Sequence, residues 1–210
     1  MGENADHKTL GSKVLVSGEI AAQSQKFAEG YARFRDVTDR DGALPAWVKA
    51  LFMASAAAVK GHGQLLYNEL KRSKELGLSL NDARGAALTV FISRGEEVYT
   101  KFTSAVNELF NDVIETEAKA MPEFALDRES CLEYFEGYFG FIPPYVELMA
   151  DDAPRALEGY VLMREFSLAE NLLDAKSVEL LLCTVNAAEF SARFVNVCLL
   201  YTSDAADEEA

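Results

Sequence analysis

The sequence predicts an all-α fold, and three observations carry that prediction. Two stretches about 130 residues apart, Ala43–Asn68 and Leu173–Val197, share one pattern built around an Ala-rich segment. Apolar residues recur at helical spacing along most of the 210 residues. Sustained apolar–polar alternation closed by hairpin turns, the mark of strands, is missing. The two stretches align without a gap: Val48 on Val178, Lys49 on Glu179, Leu51 on Leu181, Ala57 on Ala187 and Ala58 on Ala188. A shorter echo, Glu29-Gly30-Tyr31 and Glu158-Gly159-Tyr160, precedes each copy. Repetition on this scale implies two related helical halves.

The elements follow in order. Ile20, Phe27, Tyr31 and Phe34 gather on one face of a helix over 18–36. Asp39-Arg40-Asp41-Gly42 breaks the chain, and Pro45 sits just inside the next helix, where its missing N–H costs nothing. That helix runs through the Ala-rich segment to Val59. Gly61-His62-Gly63 interrupts it, because paired glycines weaken helix continuation. A further helix, Gln64 to Leu76, ends at Gly77 as a left-handed cap. Ser79-Leu80-Asn81-Asp82 is an N-cap region for a helix from Ala83 to about Ser93. Val98, Phe102, Val106, Phe110 and Ile114 stripe a helix over 95–119, and Met121-Pro122-Glu123 joins the halves. The second half opens with a helix around Cys131–Tyr138 and turns at Gly140-Phe141-Ile142-Pro143-Pro144. Helices over Tyr145–Ala150 and from Asp151-Asp152-Ala153-Pro154 come next. The last helix begins after Asp174, its expected cap.

A formal charge of −14 argues against nucleic acid as a partner, since phosphates need a basic face. No apolar run reaches the roughly 20 residues of a spanning helix. The N-terminus lacks the apolar stretch of a signal peptide, so the cytoplasm is the expected location. The three cysteines, Cys131, Cys183 and Cys198, form no CxxC and no disulfide framework. From Cys198 to Glu208 the chain reads CLLYTSDAADE, which resembles the translation of a transposase sequencing adapter. On that reading residues 198–210 are a non-native tail and the natural chain continues past Val197. Without the tail's four acids the charge moves from −14 to −10 and stays acidic.

The repeats resemble the carboxymuconolactone decarboxylase and alkylhydroperoxidase-D family. Its members carry a helix reading E-L, an Ala-rich apolar run, then CxxC and a His. Leu173-Asp174-Ala175-Lys176-Ser177-Val178-Glu179-Leu180-Leu181-Leu182 is similar to the family's opening. Counting on from Glu179 puts the two Cys positions on Ser191 and Phe194, and the His position on 198. In the first copy, Lys49 stands at the Glu position and Gly61, Gln64 and Asn68 at the other three. Gly61-His62-Gly63-Gln64-Leu65, Lys71-Arg72 and Leu76-Gly77-Leu78-Ser79 resemble the decarboxylase branch.

The resemblance implies residues 1–15 as a tail, 16–120 and 121–197 as two alkylhydroperoxidase-D-like halves, and a homo-oligomer, most simply a trimer of two-half chains. It implies a non-redox enzyme acting on a small carboxylated lactone or related acid, because a peroxidase needs a thiol pair that these positions lack. Decarboxylation needs a group to orient the carboxylate, stabilisation of the enolate and a proton donor, with no cofactor and no metal. The candidate catalytic residues are His62, Glu179, Glu189 and Arg193. Lys49, Gln64, Asn68 and Ser191 are candidates for substrate binding. Each has a plain alternative: His62 as a helix-end residue, Lys49 and Glu179 as solvated helix charges, and Glu189 and Arg193 as an i,i+4 surface pair. Cys183, on the apolar run Leu180–Val185, reads as a buried small hydrophobe. Two rivals stand beside the decarboxylase: a peroxidase relative without its redox residues, and a non-catalytic oligomeric or ligand-binding relative.

Overall fold

The computed structural model describes residue 22 and residues 24–111 and 126–199. The expected Ile20 and Ile114 contacts, the 121–123 join, the 1–15 tail and residues 200–210 lie outside these. The described residues are all-helical, with no strand among them. The helices are α1 (Gln25–Asp39), α2 (Ala46–Val59), α3 (Gly63–Glu75), α4 (Leu80–Arg94), α5 (Glu96–Phe110), α6 (Arg128–Phe139), α7 (Pro144–Asp152), α8 (Pro154–Leu168) and α9 (Ala175–Ala188). Residues 192–199 form a further helical stretch.

Local chemistry sets most boundaries. Ser24 caps α1 by accepting from Phe27 N–H. Ser79 and Asp82 form a reciprocal capping box at α4, each side chain accepting the other's backbone N–H. Asp127 and Asp174 cap α6 and α9 through the amides of Ser130 and Ser177. Gly95 joins α4 to α5 at φ +79°, and Gly77 follows α3 at φ +120°, conformations that glycine adopts without a Cβ clash.

The chain divides into two compact units, Met1–Asp112 with Leu172–Ala210, and Val113–Asn171. The halves expected from the repeat divide at 120/121 instead. α9, assigned by sequence to the second half, packs on α2 and α4 in the first unit. There Ala50, Leu51, Ala54, Leu70, Ala86, Val90 and Phe102 form a fully buried core. The alanines of α2 give its neighbours α3 and α9 close access to its backbone. In the second unit, Cys131, Phe135, Val146, Ala150, Leu157 and Val161 make a core from α6, α7 and α8.

The repeat is visible in the helix limits, with one change of register. α1 and α8 start and end 129 residues apart, as do α2 and α9, and α3 and 192–199 start 129 apart. The turns match bond for bond. Gly61 N–H donates to Ala58 O at 3.0 Å and Phe190 N–H to Ala187 O at 3.0 Å. His62 N–H donates to Ala57 O at 2.8 Å and Ser191 N–H to Asn186 O at 2.9 Å. The hydroxyls of Ser55 and Thr184 both bond the carbonyl four residues back, at 2.9 Å. The sequence alignment, at 130, is therefore one residue out of step with the chain path. Ala-rich segments match one another at several offsets, so identity alone does not fix their register.

A second difference concerns the break after α9. Only the first copy carries glycines there, so the sequence predicts no interruption in the second. The chain breaks nonetheless, with Phe190 at φ +58° where Gly61 has φ +72°. The Phe190 ring is 89% exposed, so the conformation is opposed by its own Cβ and not by packing around the ring.

Candidate functional site

The first unit carries a groove of about 480 Å³ where α2 gives way to α3, walled on the other side by α5. Gly61 and Gly63 form its rim, and Leu66 and Ala105 part of its floor. Its polar groups are Tyr67, Thr100, Lys101, Ser104 and Glu108. Tyr67 is hydrogen-bonded to Glu108; partial burial first, then that bond and the carboxylate's charge, raises its hydroxyl above the ordinary value of 10.0. Tyr67 therefore keeps its proton at neutral pH. Lys101 Nζ lies 2.6 Å from Glu97 Oε1, and the ammonium in turn holds Glu97 below the usual carboxylate range. Ser104 Oγ donates to Thr100 O at 2.7 Å.

The residues singled out from sequence fall into separate places. His62 is the exposed N-cap residue of α3, makes no side-chain cap bond and does not line the groove. Gln64 Nε2 donates to Asn68 Oδ1 at 3.0 Å on an exposed face of α3. Lys49 Nζ donates to Val37 O at 2.7 Å and Arg40 O at 2.8 Å, so its ammonium satisfies carbonyls at the C-terminal end of α1. Glu179 is buried on α9. Glu189, the C-cap residue of α9, meets Lys60, the C-cap residue of α2, at 3.5 Å. This contact brings the two repeated turns together, and with them the chain at His62 and Ser191. Ser191 is half-buried, while Arg193 is exposed. None of these eight residues lines the groove.

The thiols are placed against reactivity. Cys183 and Cys198 are buried and hydrogen-bonded to each other. Burial, then the charge of Glu179 and the Cys183 thiol, pushes Cys198 up to about 12. Burial and the charges of Glu158 and Asp127 raise Cys131 in the second unit. A thiol held protonated is a poor nucleophile.

One polar constellation escaped the sequence reading altogether. Arg35 Nη2 lies 2.9 Å from Asp39 Oδ1 and 3.1 Å from Glu69 Oε1. Arg72 closes the ring, with Nε 2.8 Å from Glu69 Oε2 and Nη1 2.8 Å from Asp39 Oδ1. Arg35, Glu69 and Arg72 are buried, and Arg35 Nη1 also meets Met53 Sδ at 3.3 Å. The Arg72–Asp39 contact is an ion pair without hydrogen-bond alignment, since Nη1 makes no hydrogen bond. The ring ties α1 to α3 through four charges that sum to zero. Its internal spacings, i,i+4 and i,i+3, were visible in sequence, but they look the same for surface pairs.

No family model, curated protein or solved structure matches the chain.

Proposed function

We propose that this protein is a non-redox relative of the carboxymuconolactone decarboxylases, acting without a cofactor on a small carboxylated lactone or related acid. The position of the groove carries the reading. It opens on Gly61 and Gly63, at the turn where the resemblance sets the family's reactive positions. Its wall offers one ammonium, Lys101, and the hydroxyls of Tyr67, Thr100 and Ser104. Losing CO₂ breaks a carbon–carbon bond and leaves its electron pair as an enolate. A cation beside the enolate oxygen lowers the barrier, and a protonated group beside the carbanion carbon gives it a proton, which solvent then restores. Lys101 suits the first role; the Tyr67 hydroxyl is the proton source on the groove wall. The raised thiols favour this reading over the peroxidase relative. We place the protein in the cytoplasm as a homo-oligomer; among the described residues no helix is long and apolar enough to cross a membrane.

The test is CO₂ release from a panel of γ-carboxylated butenolides, followed by ¹³C NMR. Lys101→Ala and Tyr67→Phe should each lower the rate at least about tenfold if these groups act on the enolate. Absence of release across the panel, with no substrate-induced shifts at Gly61 and Gly63, would remove this assignment. The same preparation should show no hydroperoxide turnover with a dithiol reductant, and Cys183→Ala should change nothing.

A further inference from the structure

The second unit holds a buried cation in an aromatic setting. Arg164, on α8, is only 9% exposed. Its guanidinium carbon lies 4.6 Å from the centre of the Tyr138 ring, 5.4 Å from Phe139, 5.6 Å from Phe135 and 5.8 Å from Tyr160. The hydroxyls of Tyr134 and Tyr160 are hydrogen-bonded to it. Nε is buried without a hydrogen-bond partner. No carboxylate among the described residues pairs with this cation. Burial opposes its charge, and the Tyr160 hydrogen bond and the ring faces offset part of that cost.

The repeat supplies an independent comparison. At a spacing of 129 residues, Arg164 occupies the place of Arg35 in the first copy. Arg35 is buried too, and it holds two carboxylates, Asp39 and Glu69. The counterpart of Asp39 is Leu168, which is apolar and buried. The second copy thus keeps the cation, loses the acid on its own helix and surrounds the guanidinium with rings. Buried guanidinium groups ordinarily sit with an anion, because the cost of removing the charge from water is otherwise uncompensated.

We infer that Arg164 receives the carboxylate of a planar, conjugated or aromatic acid, which stacks among the rings of α6 and α8. The ring faces around the guanidinium set the preference for a flat ligand. Phe135 stacks on Phe139 at 9° between planes and on Tyr160 at 24°, so an entering acid replaces part of these ring contacts. Tyr134, Tyr138, Phe139 and Tyr160 are only half-buried, which leaves the guanidinium one side-chain layer below solvent. An entering carboxylate takes the Nε–H and a terminal N–H of Arg164 as a bidentate pair, the geometry for which guanidinium is suited. This inference does not depend on the groove in the first unit.

The experiment follows the arginine Nε–H resonances of the full chain by NMR during titration with benzoate, cyclohexanecarboxylate and benzamide. Benzoate should shift the Arg164 resonance saturably and bind about tenfold tighter than cyclohexanecarboxylate, and benzamide should have no effect. Arg164→Met should abolish the shift of the surrounding tyrosines. If that variant does not fold, Tyr138→Leu keeps the cation, removes one wall and should weaken benzoate about fivefold. No saturable shift at concentrations on the order of millimolar overturns the proposal. So does equal binding of the two acids, or a benzoate response that neither variant alters. A shift of Arg164 that depends on protein concentration and not on added acid would assign the carboxylate to a second copy, and would also overturn it.

Discussion

Phe190 holds a left-handed backbone that a side chain with a Cβ opposes by about 1–2 kcal/mol. Its ring is exposed and meets Lys60 Nζ at 5.8 Å from the centroid. Removing the side chain therefore sacrifices little. Phe190→Gly should raise stability by about 1 kcal/mol in urea unfolding, after allowance for the freer unfolded chain. A loss of stability would mean that the ring is buried in solution. The Arg35–Asp39–Glu69–Arg72 ring obeys the opposite logic. Glu69→Leu leaves two buried guanidinium groups sharing the single carboxylate of Asp39 and should cost about 3–5 kcal/mol, whereas replacing all four charges together with Met and Leu should recover most of that loss. Equal losses in the single and quadruple variants would show that the ring stabilises the fold on its own account.

Helix ends were the most legible elements, because a cap is written in a few adjacent residues. Ser79 with Asp82, and Asp174, needed no knowledge of what packs where; Asp174 caps as read, and Ser79 caps a helix that begins at Leu80, ahead of the expected Ala83. Ser79→Ala should lower stability by about 1 kcal/mol with little change in the urea dependence. At α6, the amide of Ser130 holds Asp127 below its ordinary value of 3.8. The stabilisation from this cap is fully present above that value and is lost as pH falls below it. Asp127→Asn should flatten the acid limb of a stability profile below about pH 4 and leave the neutral region unaltered. Features set by distant neighbours were not legible. Lys49 reads as a substrate-binding charge until the carbonyl end of α1 is seen beside it. The α9 break carries no glycine, and the buried charge ring depends on α3, with Arg35 and Glu69 34 residues apart. The groove was missed for the same reason: Lys101, Ser104 and Glu108 come from α5, and only packing sets them across from Gly61. Of the groove's lining, Gly61 and Gly63 at the turn and Ala58 in the repeat were marked by sequence.

At the scale of the molecule, the 129-residue repeat extends to what is left uncovered. Phe34 and Val37 on α1 are 74% and 73% exposed. Their counterparts on α8, Met163 and Phe166, are 44% and 51% exposed. Each pair sits at i,i+3, so each helix presents a small apolar face, and the two copies present it at the same positions. Scattered apolar residues on a surface require no explanation, but a face preserved in both copies of a repeat is what self-association uses. The strongly acidic net charge opposes unspecific aggregation. If the proposed family relation holds, light scattering should give a mass near three times the 23.1 kDa chain. Phe34→Glu combined with Met163→Glu should shift the protein to monomer while leaving its helical content unchanged, since neither side chain belongs to a core. A wild-type protein that stays monomeric at concentrations on the order of micromolar would rule the assembly out. An unchanged mass in the double variant would move the interface elsewhere.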